Sequence, residues 1–145
     1  MNVLFDVNVI LDLLLKREPF AADAGELLSM AEEGSLGGFL CATGVTTIHY
    51  VARRTIGTGD SRKRLQRLLG FLHVAQVDGS IIDRALRSGL NDFEDAVADE
   101  ASAAAGVDAI VTRDVADFKG AKTRTYSPSE FIAVLDQENS DSRTE

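Results

Sequence analysis

The sequence predicts an α/β fold, a single three-layer domain in which a central, mainly parallel sheet of about five strands is flanked by helices. Short apolar segments alternate along the chain with longer segments in which apolar residues recur at helical spacing. Strands that alternate with helices in this way lie parallel, in a sheet that is covered on both faces. The length of 145 residues suffices for one such domain and is too short for two.

In the first half of the chain, glycine, proline and capping residues divide the apolar segments into separate elements. The prediction from the amino terminus onward is a strand at 2–5, helical spacing at 9–14, a helix at 21–33, a strand at 39–42, a helix at 46–54 and a basic helix at 62–71. Pro19 is tolerated just ahead of a helix, and Gly34 is suited to end one. Asp60 and Ser61 are typical N-cap residues, so they are predicted to start the basic helix.

The second half of the chain continues the alternation and ends in a polar tail. The prediction is a strand at 73–77, a helix at 80–88, a longer helix from 91 or 92 to 106, strands at 109–112 and 124–126, and a helix after Pro128. Asn91 or Asp92 is expected to cap the longer helix, whose predicted apolar stripe is Phe93, Val97, Ala101 and Ala104. The folded domain is predicted to span 1–135, and the acidic segment 136–145, which lacks aliphatic side chains, is expected to be disordered.

The composition excludes several classes of protein. Apolar residues make up 45% of the chain and charged residues 26%, which is typical of a globular protein. Cys41 is the single cysteine, so no internal disulfide can form, and a reducing compartment is indicated. Asp6 and Asp12 interrupt the apolar residues near the amino terminus, a pattern that neither a signal peptide nor a membrane span tolerates. We therefore expect a cytoplasmic protein with no membrane partner.

The net charge of −8 lowers the expectation of a tight nucleic-acid binder, because such proteins normally use cations to neutralise phosphates. Segment 136–145 carries −3 of this charge, which leaves −5 for the body of the chain. A site built from several carboxylates would account for most of the remainder, and a bound metal would reverse its local field. The charge is therefore compatible with a metal-dependent nuclease.

Acidic residues are predicted to meet at the carboxyl edge of the sheet, where function collects in open parallel sheets. They are Asp6 after the first strand, Asp114 after the fourth, and Asp92, Glu94 and Asp95 in the first turn of the longer helix. Clustered carboxylates repel one another, so a fold that gathers them needs a cation. Carboxylate oxygens suit Mg²⁺ or Mn²⁺, and the sequence has no Cys/His cluster that would favour zinc. Such an ion can activate water for attack on a phosphodiester.

Several of these acidic residues also have a structural interpretation. Asp92 suits the N-terminus and dipole of its helix, and Asp99, further along that helix, is expected to lie on a solvated face. Asp114 and Asp117 could form an Asx-type turn. Asp6 is harder to explain structurally, because a carboxylate beside an apolar strand end must be hydrated, paired or metal-bound.

Three segments resemble the motifs of the PIN-domain family, which includes the VapC-type toxin ribonucleases of toxin–antitoxin pairs. The segments are Leu-Phe-Asp6-Val-Asn8, Asp92-Phe-Glu-Asp95-Ala and Val111-Thr-Arg-Asp114 with Asp117. The resemblance covers about 1–135 and implies a metal-dependent endoribonuclease, with Asp6, Asp95 and Asp114 as catalytic metal ligands. It also implies supporting roles for Asn8 and Asp117, an RNA substrate, an antitoxin partner and a homodimer.

One position departs from the family pattern, in which a helix after the second strand carries Ser-x-x-Thr-x-x-Glu. Here Thr43 and Thr46 match the hydroxyl positions, but His49 stands where the glutamate is expected. The site then loses one negative charge, for which Glu94 could compensate. His49 either contacts a phosphate when protonated or is a satisfied, partly buried helix histidine, and the sequence leaves both interpretations open.

A cluster of basic residues is the predicted RNA-binding surface, because the rest of the chain is acidic. Its arginines are Arg53, Arg54, Arg62, Arg64 and Arg67. Charged helix faces are also commonly just solvated.

Two other functions compete with a nuclease. The first is a PIN-like scaffold that binds RNA or a protein without cutting, which the histidine at position 49 favours. The second is a phosphatase of the haloacid-dehalogenase type, which also begins with an aspartate after its first strand. That chemistry needs a second acid two residues later, where this chain has Asn8, and its phosphate-positioning lysine has no clear counterpart.

Overall fold

The computed structural model describes residues 1–144, which form five strands, seven α-helices and a short 3-10 helix. In chain order these are β1 (Asn2–Phe5), α1 (Val7–Leu14), α2 (Ala21–Glu33), β2 (Gly37–Cys41), α3 (Ala42–Ile56), α4 (Thr58–Leu69), β3 (His73–Ala75), α5 (Gly79–Leu86), α6 (Phe93–Ala105), β4 (Ala109–Val111), the 3-10 helix (Val115–Phe118), β5 (Arg124–Tyr126) and α7 (Pro128–Thr144). The predicted α/β class is confirmed.

The five strands form one parallel sheet in the order β3-β2-β1-β4-β5. From β1 the chain first builds outward through β2 and β3, and then returns to the other side of β1 to add β4 and β5. The strand order therefore reverses between β1 and β4. Crevices at such a reversal lie beside the carboxyl ends of the strands, where α/β proteins bind their ligands.

The sheet is buried on both faces, which explains its continuous apolar strands. In β1, Val3 and Phe5 pack into the core formed with α1, α2, α3, α4 and α7. Leu4 points to the opposite face and packs with α5 and α6, because successive side chains of a strand alternate between faces. Truncating a fully buried aromatic such as Phe5 to alanine would cost about 3–5 kcal/mol.

The start of α4 differs from the sequence prediction. Asp60 and Ser61 were expected to cap the helix, but it begins at Thr58 and the preceding Gly57 provides no side-chain cap. Gly57 has φ 85°, a value that a residue with a side chain adopts only with strain, so it makes the turn between α3 and α4. Ser61 lies inside the helix and is buried.

The ends of α6 agree with the prediction, and its predicted apolar stripe is confirmed in part, since Val97 and Ala101 are buried. Asp92 caps the helix and Gly106 ends it in the left-handed conformation. Phe93 is 47% exposed and Ala104 is also exposed, whereas Asp99 is only 2% exposed. The expectation of a solvated Asp99 was wrong, because the loop before β5 folds over this carboxylate.

The C-terminal segment is helical through Thr144, whereas 136–145 was expected to be disordered. Phe131 and Leu135 anchor the first turns of α7 in the core, and the polar residues extend the same helix into solvent. The Gln137 Nε2 donates a 3.3 Å hydrogen bond to Asp141 Oδ1 one turn later. Glu145 lies outside the described residues. Within the described chain, no helix has the length and apolar character that crossing a membrane requires.

Candidate functional site

Two carboxylates stand at the carboxyl ends of the adjacent strands β1 and β4. Asp6 directly follows β1 and caps α1, where its Oδ1 accepts a 2.9 Å hydrogen bond from Val7 N. Its own backbone N–H donates to Val111 O at 2.9 Å, which ties it to the end of β4. Asp114 follows β4 by three residues and is exposed. The parallel register of the two strands thus places both carboxylates at one edge.

Thr112 connects the Asp6 carboxylate to the backbone of Asp114, and sequence reasoning missed it. Its side chain is fully buried and donates a 2.7 Å hydrogen bond to Asp6 Oδ2. The same hydroxyl oxygen accepts from Asn8 Nδ2 at 3.2 Å and from Asp114 N at 3.1 Å. A threonine hydroxyl has one donor and two acceptor sites, so all are used. The only sequence signal was its place in the Val-Thr-Arg-Asp segment.

Asn8 holds Asp114 from the first turn of α1. Its Nδ2 donates to Asp114 Oδ2 at 3.0 Å, and its Oδ1 accepts from Arg113 N at 3.3 Å. An aspartate at this position would repel Asp114 instead of donating to it, which explains why an amide is suited here. The structure therefore places the predicted supporting residue Asn8 inside the cluster.

The first turn of α6 brings further carboxylates to this edge. Asp92 Oδ1 accepts from Asp95 N at 2.9 Å, so Asp92 is the N-cap that the structural interpretation expected. Desolvation raises the pKa of Asp95 to about 7, with further contributions from the negative charges of Asp6, Asp92, Asp117 and Glu94. The negative charges that raise the pKa of Asp95 therefore come from the end of β1, the start of α6 and the 3-10 helix.

Asp6 and Glu94 also have raised pKa values. Desolvation is the main cause for Asp6, and the charges of Asp114 and Asp92 add to it, while the bonds from Thr112 and Val7 oppose it. Partial desolvation and the charges of Asp6 and Asp92 raise the pKa of Glu94, and a hydrogen bond from the Thr47 hydroxyl opposes the rise. Glu94 thus faces Asp6 and contacts α3.

Asp117 lies beside the cluster on the exposed side of the 3-10 helix. Its N–H donates to the backbone oxygen of Asp114 at 3.0 Å, whereas the Asp114 side chain accepts from Asn8. The turn is thus closed by backbone groups and not by an Asx-type contact. The charge of Asp117 contributes to the raised pKa of Asp95, which places it near the site.

His49 points to α4. Its Nδ1 lies 2.8 Å from the buried Ser61 Oγ, and the ring is half-buried. Both His49 and the exposed Thr46 line a groove between α3 and α4 of about 400 Å³. The α3 residue that contacts the acidic cluster is Thr47. These contacts fit the interpretation of His49 as a satisfied helix histidine.

The predicted RNA-binding arginines are divided between two grooves. Arg64 and Arg67 line a groove of about 480 Å³ between α1, α2 and α4, where Arg64 Nη1 donates to Leu14 O at 3.3 Å. Arg62 lines the groove between α3 and α4. Arg53 stacks on the ring of the exposed Tyr50, with its Cζ 5.3 Å from the ring centroid. Arg54 is exposed near the end of α3.

The donor set suits a hard divalent cation. The acidic residues offer carboxylate oxygens, which Mg²⁺ and Mn²⁺ prefer, and their mutual repulsion is what a cation would relieve. Across residues 1–144, however, no three His, Cys, Asp or Glu side chains already converge as a ready-made metal site. The residues fit such an ion by chemistry, and binding one would require their side chains to draw together.

Comparison with known proteins gives one family and several related folds. A family model described as PIN domain matches residues 2–116. The chain resembles VapBC2 from Rickettsia felis bound to a DNA fragment from its promoter, with a TM-score of 0.66 and 14% identity over 88% of this chain and 98% of that one. It also resembles a toxin–antitoxin complex from Klebsiella pneumoniae, with a TM-score of 0.66 and 19% identity over 87% and 97% of the two chains.

A third similar structure is VapBC-1 from nontypeable Haemophilus influenzae, with a TM-score of 0.64 and 13% identity over 89% of this chain and 99% of that one. At these identities the likeness is one of fold. No curated protein sequence is significantly similar to the chain.

Proposed function

We propose that this chain, which belongs to the PIN-domain family, is a divalent-metal-dependent endoribonuclease that hydrolyses RNA phosphodiester bonds. The observation that carries the proposal is the placement of Asp6, at the end of β1, beside Asp114 after β4 and the acidic first turn of α6. The negative charge of Asp6 helps to raise the pKa of Asp95. Raised pKa values of this kind concentrate at functional sites. A structural role alone does not account for gathering such charges at the strand-order reversal.

The residues of the site have distinct proposed roles. Asp6, Asp95 and Asp114 hold Mg²⁺ or Mn²⁺, with Glu94 and Asp117 in support. The ion, when bound, supplies activation of water and stabilisation of the leaving oxygen. Thr112 and Asn8 orient Asp6 and Asp114 through the hydrogen bonds described above. Glu94, which Thr47 contacts, supplies the negative charge that the histidine at position 49 does not.

The test is RNA cleavage by Asp6→Asn in the presence of Mn²⁺. The substitution keeps the size of the side chain and removes one ligand charge, so cleavage should be lost while the circular dichroism spectrum is unchanged. Asp108→Asn is the matched control, because Asp108 is exposed just ahead of β4, where it accepts from Asn2 N at 2.8 Å. Full cleavage by Asp6→Asn would end the assignment.

The biological role proposed for this activity is that of a cytoplasmic toxin in a type II toxin–antitoxin pair, acting as a homodimer. The support is the fold shared with solved toxin–antitoxin complexes. An antitoxin would lay an apolar or basic segment into the acidic groove. Expression of the wild type should arrest growth, and expression of Asp6→Asn should not. Co-expression of a small DNA-binding protein encoded immediately upstream should restore growth. If it does not, the proposal that this protein is the antitoxin is contradicted.

A scaffold that binds RNA without cutting it is the second candidate. It is favoured by the position of His49, whose imidazole contacts Ser61 and, unlike the glutamate of the family pattern, supplies no negative charge to the cluster. A calorimetric titration with Mn²⁺ near neutral pH separates the two candidates. Binding that Asp6→Asn weakens supports the nuclease, and RNA binding without any Mn²⁺ binding supports the scaffold.

A further inference from the structure

Asp12 is a buried charge that the proposed catalytic cluster does not include. It lies on α1 and is only 1% exposed. Its Oδ2 accepts a 2.6 Å hydrogen bond from Arg113 Nε, and its Oδ1 accepts a 3.1 Å bond from Arg113 Nη2. Arg17 Nη1 lies 3.8 Å from the same Oδ1. Asp12 thus binds Arg113 through both oxygens.

Such a pair is not needed for packing. Removing a carboxylate from water is costly, and an apolar side chain of similar size is often as good or better for stability. The neighbours of Asp12 on α1, Leu11 and Leu14, are themselves buried and apolar. The two-point geometry, however, fixes the guanidinium in orientation as well as in position. The role of the Asp12–Arg113 pair is therefore to be found in the residues that Arg113 holds in place.

Arg113 lies between the two residues that connect the acidic cluster, Thr112 and Asp114. Its backbone N–H donates to Asn8 Oδ1 at 3.3 Å. Its guanidinium lies over the ring of Phe20, with Cζ 4.1 Å from the ring centroid. The side chain is 27% exposed. Segment 112–114 is therefore attached to α1 at its backbone and at its guanidinium.

We propose that the Asp12–Arg113 pair is a positioning device that locks segment 112–114 against α1 and thereby fixes Asp114 and Thr112 for metal binding. The inference rests on the proposed metal-dependent function. Groups that orient metal ligands typically contribute about 10- to 100-fold to metal affinity. The Asp12 side chain binds Arg113 and not one of the proposed metal ligands, so it acts as a positioning residue.

The burial of Asp12 makes it the informative position to change. Arg113 is partly exposed, so its substitution could alter an RNA contact directly. Asp12 is enclosed by protein and has no surface to offer to RNA. An effect of Asp12→Asn on metal affinity therefore includes no lost RNA contact, and Arg113→Lys, which keeps the charge, separates positioning from the loss of a negative charge.

The experiment measures Mn²⁺ affinity by calorimetry in Asp12→Asn and Arg113→Lys. Asparagine removes the negative charge, and lysine keeps a positive charge but cannot make the two-point contact. Both variants should bind Mn²⁺ about 10-fold more weakly than the wild type. Glu100→Gln is the matched control, because Glu100 is 4% exposed and pairs with Lys122 Nζ at 2.9 Å on the far part of α6. Its Mn²⁺ affinity should be unchanged.

A second measurement does not depend on the metal. Asp114 N–H donates to Thr112 Oγ1, so its amide hydrogen exchange reports how firmly the segment is held. Exchange at Asp114 should be at least about 10-fold faster in Arg113→Lys than in the wild type, under metal-free conditions. The melting temperature separates this local effect from a global loss of stability. Glu100→Gln, which also removes the charge of a buried carboxylate that pairs with a basic side chain, should lower the melting temperature without speeding exchange at Asp114.

The outcomes distinguish this inference from the proposed function. Wild-type Mn²⁺ affinity in both variants would overturn the positioning role while leaving the nuclease assignment intact. Absence of Mn²⁺ binding by the wild type would overturn the nuclease assignment. The amide exchange rate at Asp114 would then show whether the Asp12–Arg113 pair holds segment 112–114, and an unchanged rate in Arg113→Lys would overturn the positioning role. If Asp12→Asn does not fold, both measurements are made on Arg113→Lys. In that variant the buried Asp12 carboxylate still has the positive charge of Arg17 close to it.

Discussion

Thr112 donates a 2.7 Å hydrogen bond to Asp6 and so joins the carboxyl ends of β4 and β1 through residues 106 positions apart in the chain. The bond lowers the pKa of Asp6 against the desolvation that raises it. It also directs the remaining acceptor sites of the hydroxyl toward Asn8 and Asp114. One buried hydroxyl thus binds the Asp6 carboxylate directly and holds Asp114 through its backbone N–H and through Asn8.

Thr112→Val should raise the pKa of Asp6 further. Valine keeps the shape of threonine but leaves Asp6 Oδ2 without its donor, and Asp114 N–H without its acceptor. We expect unfolding to become easier by about 1–3 kcal/mol and the Asp6 pKa to move up, as followed by carboxyl-carbon NMR. Thr125→Val is the control, because Thr125 lies on β5 and its hydroxyl donates to Thr123 O and not to Asp6. An unchanged Asp6 titration would contradict the role of Thr112.

Asp95 should make the metal-free protein less stable as pH rises. Its folded pKa of about 7 lies above the unfolded value of 3.8, so the folded state binds the extra proton. The stability that this proton contributes is fully present below about pH 4 and is lost as pH rises toward 7. Asp95→Asn mimics the protonated form, so the variant should match the wild type near pH 4 and exceed its melting temperature above pH 7.

Thermal melts in a chelator across pH 4 to 8 check this prediction. Added Mn²⁺ should narrow the difference by stabilising the wild type, because the ion binds the charged carboxylates. Asp108→Asn, which changes an exposed carboxylate just ahead of β4, should follow the wild-type curve. A difference between Asp95→Asn and the wild type that does not vary with pH would contradict the assigned pKa.

Asp99 should matter for stability and not for metal binding. Its two oxygens accept from Lys122 N at 2.9 Å and from Thr123 N at 3.0 Å, and the residue is buried. Asp99→Ala leaves both N–H groups without an acceptor, which should cost about 2–4 kcal/mol. Chemical denaturation measures the loss, and calorimetry should show wild-type Mn²⁺ affinity. Weaker Mn²⁺ binding in a folded Asp99→Ala would place this residue in the site after all.

Asp99 also shows what could not be predicted from the sequence, which is contact between segments distant in the chain. The alternation of apolar segments predicted the sheet, and the position of an aspartate after an apolar strand singled out Asp6. Helical spacing alone put Asp99 on the face opposite the apolar stripe. It could not show that a loop 23 residues later would bring its N–H groups onto that face. Contacts between distant segments are what the local pattern omits.

The roles of Thr112 and Asp12 were missed for a related reason. A threonine at a strand end and an aspartate on an apolar helix have unremarkable local patterns. Their roles come from partners 106 and 101 positions away. His49 was recognised as a departure from the family pattern, but only its contact with Ser61 across the α3–α4 turn shows where the ring lies.

The arginines on α4 provide a prediction about RNA. Reversing Arg62, Arg64 and Arg67 to glutamate should weaken RNA binding and reduce its dependence on salt, because an arginine that no longer neutralises a phosphate no longer releases a counterion. Binding is measured by fluorescence anisotropy at several salt concentrations, in an Asp6→Asn background to prevent cleavage. The plot of log affinity against log salt has a negative slope, and its magnitude should decrease by about 1 for each phosphate that the variant ceases to bind.

The division of these arginines between two grooves sharpens that test. Arg62→Glu alone perturbs the α3–α4 groove, and the double reversal of Arg64 and Arg67 perturbs the groove between α1, α2 and α4. The variant that loses RNA affinity identifies the groove in which the RNA binds. Reversal of the exposed Arg84 and Arg87, at the C-terminal end of α5, is the control for net charge. Wild-type affinity in the triple variant would remove α4 from the RNA-binding surface, since reversing the charge of three contacting arginines cannot leave phosphate binding unaltered.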